Sequence, residues 1–414
     1  MTSAAGERRR SPPRRALHLA LFGLAVWAVA LWLVFLWLHR GDPAVWQKDW
    51  YCFYTAGEAF LESGAVGTYR EQCIDNYFWL YPPYALYTYA VFSLLPPLGY
   101  YGVAVVGILT LTAIGLRFLQ LALDEAQRAF ETLALFVASS AAFVSTIVTG
   151  QHAAVLLCGI AGALWMLNRE RDVLAGAFLG ILGLKPNWAA VFVVWLLVTR
   201  RWQTLGGMAA VGGLMIATTL PMGLEVWAEY LIEAPRHVRL LLEATGGALV
   251  YPAHKLVTFE AFTRSTIGLS FPSAANVAWI LLETVAIVAA FVAWLSTNDA
   301  RDQIAMTVLV AVGGNPYVQF YDLLVLAAPA AVWWMGRARY ARAPWWTIGG
   351  AAGGLWVWSW LRITTPDAAW PSLAGGFLAV WIAAEAYRVH RASRAAPVPS
   401  SPAGGAPAAD LASS

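Results

Sequence analysis

Residues 16–38 read ALHLALFGLAVWAVALWLVFLWL, an apolar run broken only by His18. A helix needs about 20 such residues to cross a hydrocarbon core of roughly 30 Å, so this stretch is long enough to span a bilayer. Arg8, Arg9, Arg10, Arg14 and Arg15 precede it and would suit the basic end of a signal peptide. The run is too long for a signal peptide's apolar region, however, and no small-residue cleavage site follows Leu38-His39-Arg40. It reads as a signal anchor that stays in the membrane.

The same signature recurs along the chain. Apolar residues make up 59% of the 414 positions and charged residues only 12%, with 22 tryptophans. These proportions exclude an ordinary soluble domain. In lipid only helices or closed barrels satisfy the backbone, and the runs lack the period-two alternation of barrel strands. The expected fold class is therefore all-α, a polytopic helical membrane protein. A net charge of +3 says little about partners, and no basic patch with interleaved aromatics points to nucleic acid.

Short cytoplasmic loops are enriched in Lys and Arg, which places residues 1–15 inside and sends the first span outward. A polar and aromatic segment, residues 39–78, follows and is expected to form short helices along the membrane surface. Residues 79–95 are apolar but bounded by Pro82-Pro83 and Pro96-Pro97, which makes them short for a crossing. If they do not cross, about twelve spans result. The loops around Arg128, Arg169, Arg171, Arg200, Arg201, Arg301, Arg337, Arg339, Arg342, Arg388, Arg391 and Arg394 then fall inside. If they cross, there are thirteen spans and those loops flip outward, so the non-crossing arrangement is preferred. Residues 227–242 look amphipathic and are expected at the interface. The organisation is then a basic cytoplasmic N-terminus (1–15), a transmembrane domain (16–390) and a disordered cytoplasmic tail (391–414) rich in Pro, Ala, Gly and Ser. The expected location is the inner (plasma) membrane, with both termini cytoplasmic.

This topology puts Asp49, Gln151, His152, Lys185, His254, Lys255 and Asp322 on one extracytoplasmic face, although none of them was used to derive it. Asp49 lies just beyond the first span, beside Trp50, where a partly desolvated carboxylate can act as a general base near neutral pH. The aromatics around it also suit an interfacial belt. Lys185-Pro186 closes a short helix near membrane depth, where a cation costs about 2.5–3.5 kcal/mol. It is either a snorkelling lysine or a point charge for a phosphate. Gly150-Gln151-His152 breaks two apolar helices. Gln151 offers donors and acceptors for a sugar or phosphate and His152 a donor for an anion, unless the three form a plain polar turn. Pro316 suits a helix start, so Asp322 would sit within the first turns, where the dipole favours an anion and capping alone would account for it.

Cys52 and Cys73 share the outer loop and an oxidising compartment, which makes them candidates for a disulfide, while Cys158 reads as a small core residue. No CxxC or HExxH pattern suggests a metal, and no Walker-type or GxGxxG loop suggests a nucleotide.

Several short motifs fall in a fixed order. They are Asp49-Trp50-Tyr51, Tyr54-Thr55-Ala56-Gly57, Tyr81-Pro82-Pro83, Gly150-Gln151, Lys185-Pro186, Arg200-Arg201-Trp202, Asn315-Pro316-Tyr317 and Tyr321-Asp322-Leu323. In that order, from about residue 17 to residue 390, the chain resembles glycosyltransferase family 87, a polyprenyl-phosphate-mannose-dependent mannosyltransferase-like group of bacterial membrane proteins in the GT-C superfamily. The resemblance implies an inverting transfer on the outer face, independent of metals and cofactors, from a polyprenyl-phosphate sugar to a cell-envelope glycan or glycolipid. It implies that Asp49, the acidic residue of the first outer loop, is the catalytic base. Lys185 becomes a contact for the donor phosphate and Gln151 a polar contact in the cavity, with Tyr81, Tyr321 and Asp322 as further candidates. Some members carry histidines shortly after the late Pro. Tyr321-Asp322 stands there in this chain, leaving His152 or His254 as substitutes. The rival expectations are a transporter or flippase of lipid-linked sugars, which would share an aromatic cavity and polar helix breaks, and an inactive membrane scaffold.

Overall fold

A computed structural model describes residues 23, 26, 30, 49–70, 72–74, 77–123, 127–243, 256–268, 270–315, 318–336, 345–364 and 372–395. Most of the expected first span, residues 1–15, Lys48, His254, Lys255, Pro316 and residues 396–414 lie outside them. The described chain is almost entirely helical. Its one sheet is a small antiparallel pair, β1 (Gln72–Ile74) with β2 (Tyr77–Phe78).

The membrane character is visible in three long helices: α3 (Pro97–Leu123), the segment Trp202–Met222, whose α-helical part is α9 (Trp202–Thr218), and α12 (Pro272–Ser296). A fourth span is available if α4 (Gln127–Ala138) and α5 (Ala141–Thr149) act together across their 57° bend. Ser140 makes that bend, because its side chain caps the second helix by accepting from the Phe143 N–H at 3.2 Å. Among the described residues four further apolar stretches are too short to cross singly, and the expected count of twelve or thirteen spans is not established. They are α6 (Ala153–Leu167), the run Asp172–Leu184 and α8 (Pro186–Val198), with Phe320–Trp334. The reason lies in the polar breaks, which cut apolar sequence into pieces of about 20 Å at 1.5 Å per residue.

The described residues bear on two expectations for the first outer segment. Residues 39–78 were expected as short surface helices. The described part holds two short helical pieces, numbered together as α1 (Asp49–Arg70), which meet at a kink where Gly64 leaves helical geometry with φ 78°. Gly adopts that left-handed angle without a Cβ penalty, so the chain can turn between the pieces. The doubtful segment 79–95 yields only α2 (Pro83–Ser93), 11 residues long, or about 16 Å, which cannot cross. Pro82 precedes it in extended geometry and Pro83 opens it, as an N1 proline should. At the far end, α16 (Ala374–Ala395) runs past the expected boundary at 391, so residues 391–395 belong to the last helix.

Two apolar clusters hold these elements. The larger one joins α3, α6, α8, α12, α13 (Ala300–Gly313), α14 (Ala327–Gly336), α15 (Trp345–Thr364) and α16. The smaller is aromatic. It packs Trp50, Phe53, Tyr54 and Tyr69 of α1 with Trp79, Tyr89 of α2, and Tyr100 and Tyr101 of α3. The amphipathic helix α10 (Glu225–Glu243), where residues 227–242 were expected at the interface, adds Val226 to this cluster and an Arg70–Glu229 ion pair.

Candidate active site

The turn Gly150-Gln151-His152 reaches α1 because Gly150 permits it. Gly150 is left-handed, with φ 67°, and a Cβ there would stand 2.7 Å from the Cβ of Trp50. Any other residue would be strained and would push the two backbones apart. The close approach sets Gln151 beside Asp49, the first residue of α1.

Gln151 Nε2 donates to Asp49 Oδ2 at 2.5 Å, and the Tyr81 hydroxyl donates to Gln151 Oε1 at 2.9 Å. The second bond fixes the first, since an amide oxygen engaged by Tyr81 turns the NH₂ toward the carboxylate, which can only accept. Tyr81 is itself held by Tyr69, whose hydroxyl donates to the Tyr81 carbonyl at 2.7 Å. Gln151 is buried while Asp49 is half-buried. Asp49 is thus aimed by a neutral donor and keeps access to the surface.

His152 follows directly. Its ring lies among Phe53 and Tyr81, with centroids 5.2 and 4.8 Å away, and its Nε2 is hydrogen-bonded to the Tyr89 hydroxyl. Burial, with a smaller contribution from the charge of Lys185, pushes the imidazole pKa down to about 3, so His152 is neutral at physiological pH.

Lys185 stands between a 3₁₀ turn (Ile181–Leu184) and α8. Its ammonium donates to Asp322 Oδ1 at 2.7 Å and lies 5.1 Å from the centre of the Tyr321 ring. The two side chains are only 12% and 1% exposed, so this is a desolvated ion pair rather than a snorkelling lysine. Asp322 falls in the first turn of a helix, as expected, while Pro316 lies outside the described residues. Gln319 caps this 3₁₀ helix (Phe320–Leu326), and Asp322 Oδ2 accepts from the Gln319 N–H in a capping box. Capping and ion pairing therefore coexist in one carboxylate. Thr146 ties this turn to α5 by donating to the Tyr321 carbonyl at 3.2 Å.

Asp49, Gln151, Tyr81 and His152 form one connected group, and Lys185 with Tyr321 and Asp322 lies within electrostatic range of it at His152. His254 lies outside the described residues. Cys52 is disulfide-bonded and Cys158 is a free, buried thiol. The chain's third cysteine is Cys73. Sequence reasoning missed Tyr89, for which helix periodicity carries no signal, and the clasp in which Asn187 Nδ2 donates to Asn315 Oδ1 at 3.1 Å. Asn315 stands in a quoted motif and Asn187 directly follows another, but their pairing spans 128 positions.

Long apolar helices with polar groups gathered at their interruptions define a helical membrane protein. Residues 79–314, a little over half of the chain, match the profile of Glycosyltransferase family 87. The chain belongs to that family, and it is a membrane glycosyltransferase. Tyr81, Gln151, His152 and Lys185 fall inside the match, whereas Asp49, Tyr321 and Asp322 lie outside it. No curated protein and no solved structure matches the chain.

Proposed function

We propose that the protein transfers a hexose, taken here as mannose, from a polyprenyl-phosphate sugar to a cell-envelope glycan or glycolipid. Transfer would occur on the extracytoplasmic face of the inner membrane, with Asp49 as general base. The reading is supported by one connection in a glycosyltransferase-family chain. A half-buried carboxylate is aimed by Gln151, Gln151 is held by Tyr81 beside the His152 ring, and the charge of the largely enclosed Lys185 acts on that ring.

The chemistry fits a single displacement. The acceptor hydroxyl is a weak acid, so its proton passes to Asp49 as its oxygen bonds to the anomeric carbon. The anomeric carbon–oxygen bond to phosphate breaks, and the departing oxygen keeps the electron pair. Lys185 has three donors, and Asp322 engages one, so a phosphate oxygen can be met by another as charge grows on it. One displacement inverts the anomeric configuration. The same residues carry over the family's implied donor contacts, with Tyr81, Tyr321 and Asp322 as the shell around Gln151 and Lys185.

The test uses purified full-length protein, a radiolabelled polyprenyl-phosphate sugar and envelope lipid extract, with Asp49→Asn in parallel. Label should reach the acceptor with the parent protein and not with the variant. Equal transfer by both would remove Asp49 as the base. For orientation, Lys185→Cys should react with outer-face thiol reagents, and labelling only from the cytoplasmic side would overturn the one-site arrangement.

A further inference from the structure

His152 Nδ1 is buried and finds no hydrogen-bond partner among the described residues. His152 stands at the N-cap position of α6, and its side chain makes no cap bond there. The other ring nitrogen, Nε2, pairs with the Tyr89 hydroxyl. A phenol is a stronger acid than a neutral imidazole N–H, and an imidazole lone pair is more basic than a phenol oxygen. Tyr89 therefore donates to Nε2. A neutral imidazole carries one N–H, which must then sit on Nδ1. The result is a shielded donor with no protein acceptor beside it among the described residues, and buried donors are otherwise satisfied. Lys185 is near enough for its charge to act on the ring. A neutral N–H within electrostatic range of an ammonium suits an anion with several oxygens, one for each donor.

We propose that Tyr89 is a positioning residue that holds His152 in its Nδ1–H tautomer, so that the imidazole donates to a phosphate oxygen of the sugar donor beside Lys185. This rests on the polyprenyl-phosphate donor inferred above. His152 transfers no proton. The anomeric carbon–oxygen bond breaks toward phosphate, the acceptor's proton goes to Asp49, and the Nδ1–H bond strengthens as the phosphate oxygen gains charge.

Amide variants separate the two ring nitrogens, because an Asn amide nitrogen falls near the place of Nδ1 and that of Gln near Nε2. With the full-length protein and labelled polyprenyl-phosphate sugar, His152→Asn should lower kcat less than His152→Gln does. His152→Gln should lose about tenfold or more, the worth of one hydrogen bond to a charged group. Tyr89→Phe should lower kcat several-fold with KM nearly unchanged, and should have no further effect in the His152→Asn background. Melting temperatures measured alongside identify variants that merely unfold, and the Asn and Gln comparison leaves Tyr89 intact. Equal activity of the Asn and Gln variants, or an undiminished Tyr89→Phe effect on His152→Asn, overturns the role of Tyr89 while transfer by the parent leaves the donor standing. Absence of transfer by the parent overturns the donor and this role with it.

Discussion

Helices α8 and α13 carry polar clusters at both ends, and the two clusters are built differently. At one end Asn187 bonds Asn315 and Lys185 pairs with Asp322, within range of the Asp49–Gln151 group. At the other, about 20 Å away along a 13-residue helix, Trp195 and Arg201 both donate to Gln303 Oε1. There Arg388 of α16 sits between Asp302 at 2.5 Å and Glu385 at 2.9 Å, and none of the three side chains is more than 5% exposed. The Asp302 and Glu385 carboxylates are both engaged by Arg388 and closed off from solvent, so neither is accessible to a substrate. Asp49 is half-buried and accepts from the neutral amide of Gln151, a bond that orients it without adding a charge. In the proposed reading the first end serves chemistry and the second holds helices together, although both present the same residue types.

Substitution should separate these roles, and Asp49→Asn should give the largest effect. Transfer should fall by about 10²- to 10⁴-fold, the usual contribution of a general base, with the melting temperature unchanged. An Asp49→Asn protein that unfolds early would put Asp49 in the structural class and break the contrast.

Arg388→Met should do the reverse. It leaves Asp302 and Glu385 without their cation and should cost about 3–5 kcal/mol in stability. Transfer per folded molecule should stay near the parent value, measured on the monodisperse fraction after size exclusion.

Lys185 sharpens the comparison because it belongs to both classes. Lys185→Met should destabilise by roughly 3 kcal/mol by stranding the Asp322 charge. Adding Asp322→Asn should restore the melting temperature but not transfer. Recovery of both would make the pair purely structural.

The smallest effect concerns pH. The imidazole of His152, pushed down to about 3 in the fold, titrates near 6.5 when the chain is unfolded. Its neutral form therefore supports stability fully above pH 6.5, and that support is lost as pH falls from there toward 3. The melting temperature should drop between pH 7 and pH 5, and should drop less in His152→Asn.

Much of this was legible before any coordinates. The apolar runs announced α3, the segment ending at Met222, and α12, because a bilayer demands length and continuity that few other structures need. Pro82-Pro83 marked the start of α2, and its shortness followed from the prolines at both ends. Lys185, Gln151 and Asp322 were singled out as polar breaks in apolar sequence. The broken helices were harder, since hydropathy counts apolar residues without registering the bend at Ser140 or the 3₁₀ turn before Lys185. The kink at Gly64 within α1 left no mark in composition, and the last helix continued through arginines that read as tail.

From the linear order alone came the helical membrane class, the family and the short roll of polar candidates, because those depend on composition, spacing and motif order. The pairings came only from the folded chain. Asp49 meets Gln151 across 102 positions and Lys185 meets Asp322 across 137, distances over which no local periodicity acts. The left-handed Gly150 against Trp50 brings the first pair together. The capping box at Gln319 sets Asp322 for the second. A carboxylate's role depends on the partner it meets, and packing decides that partner.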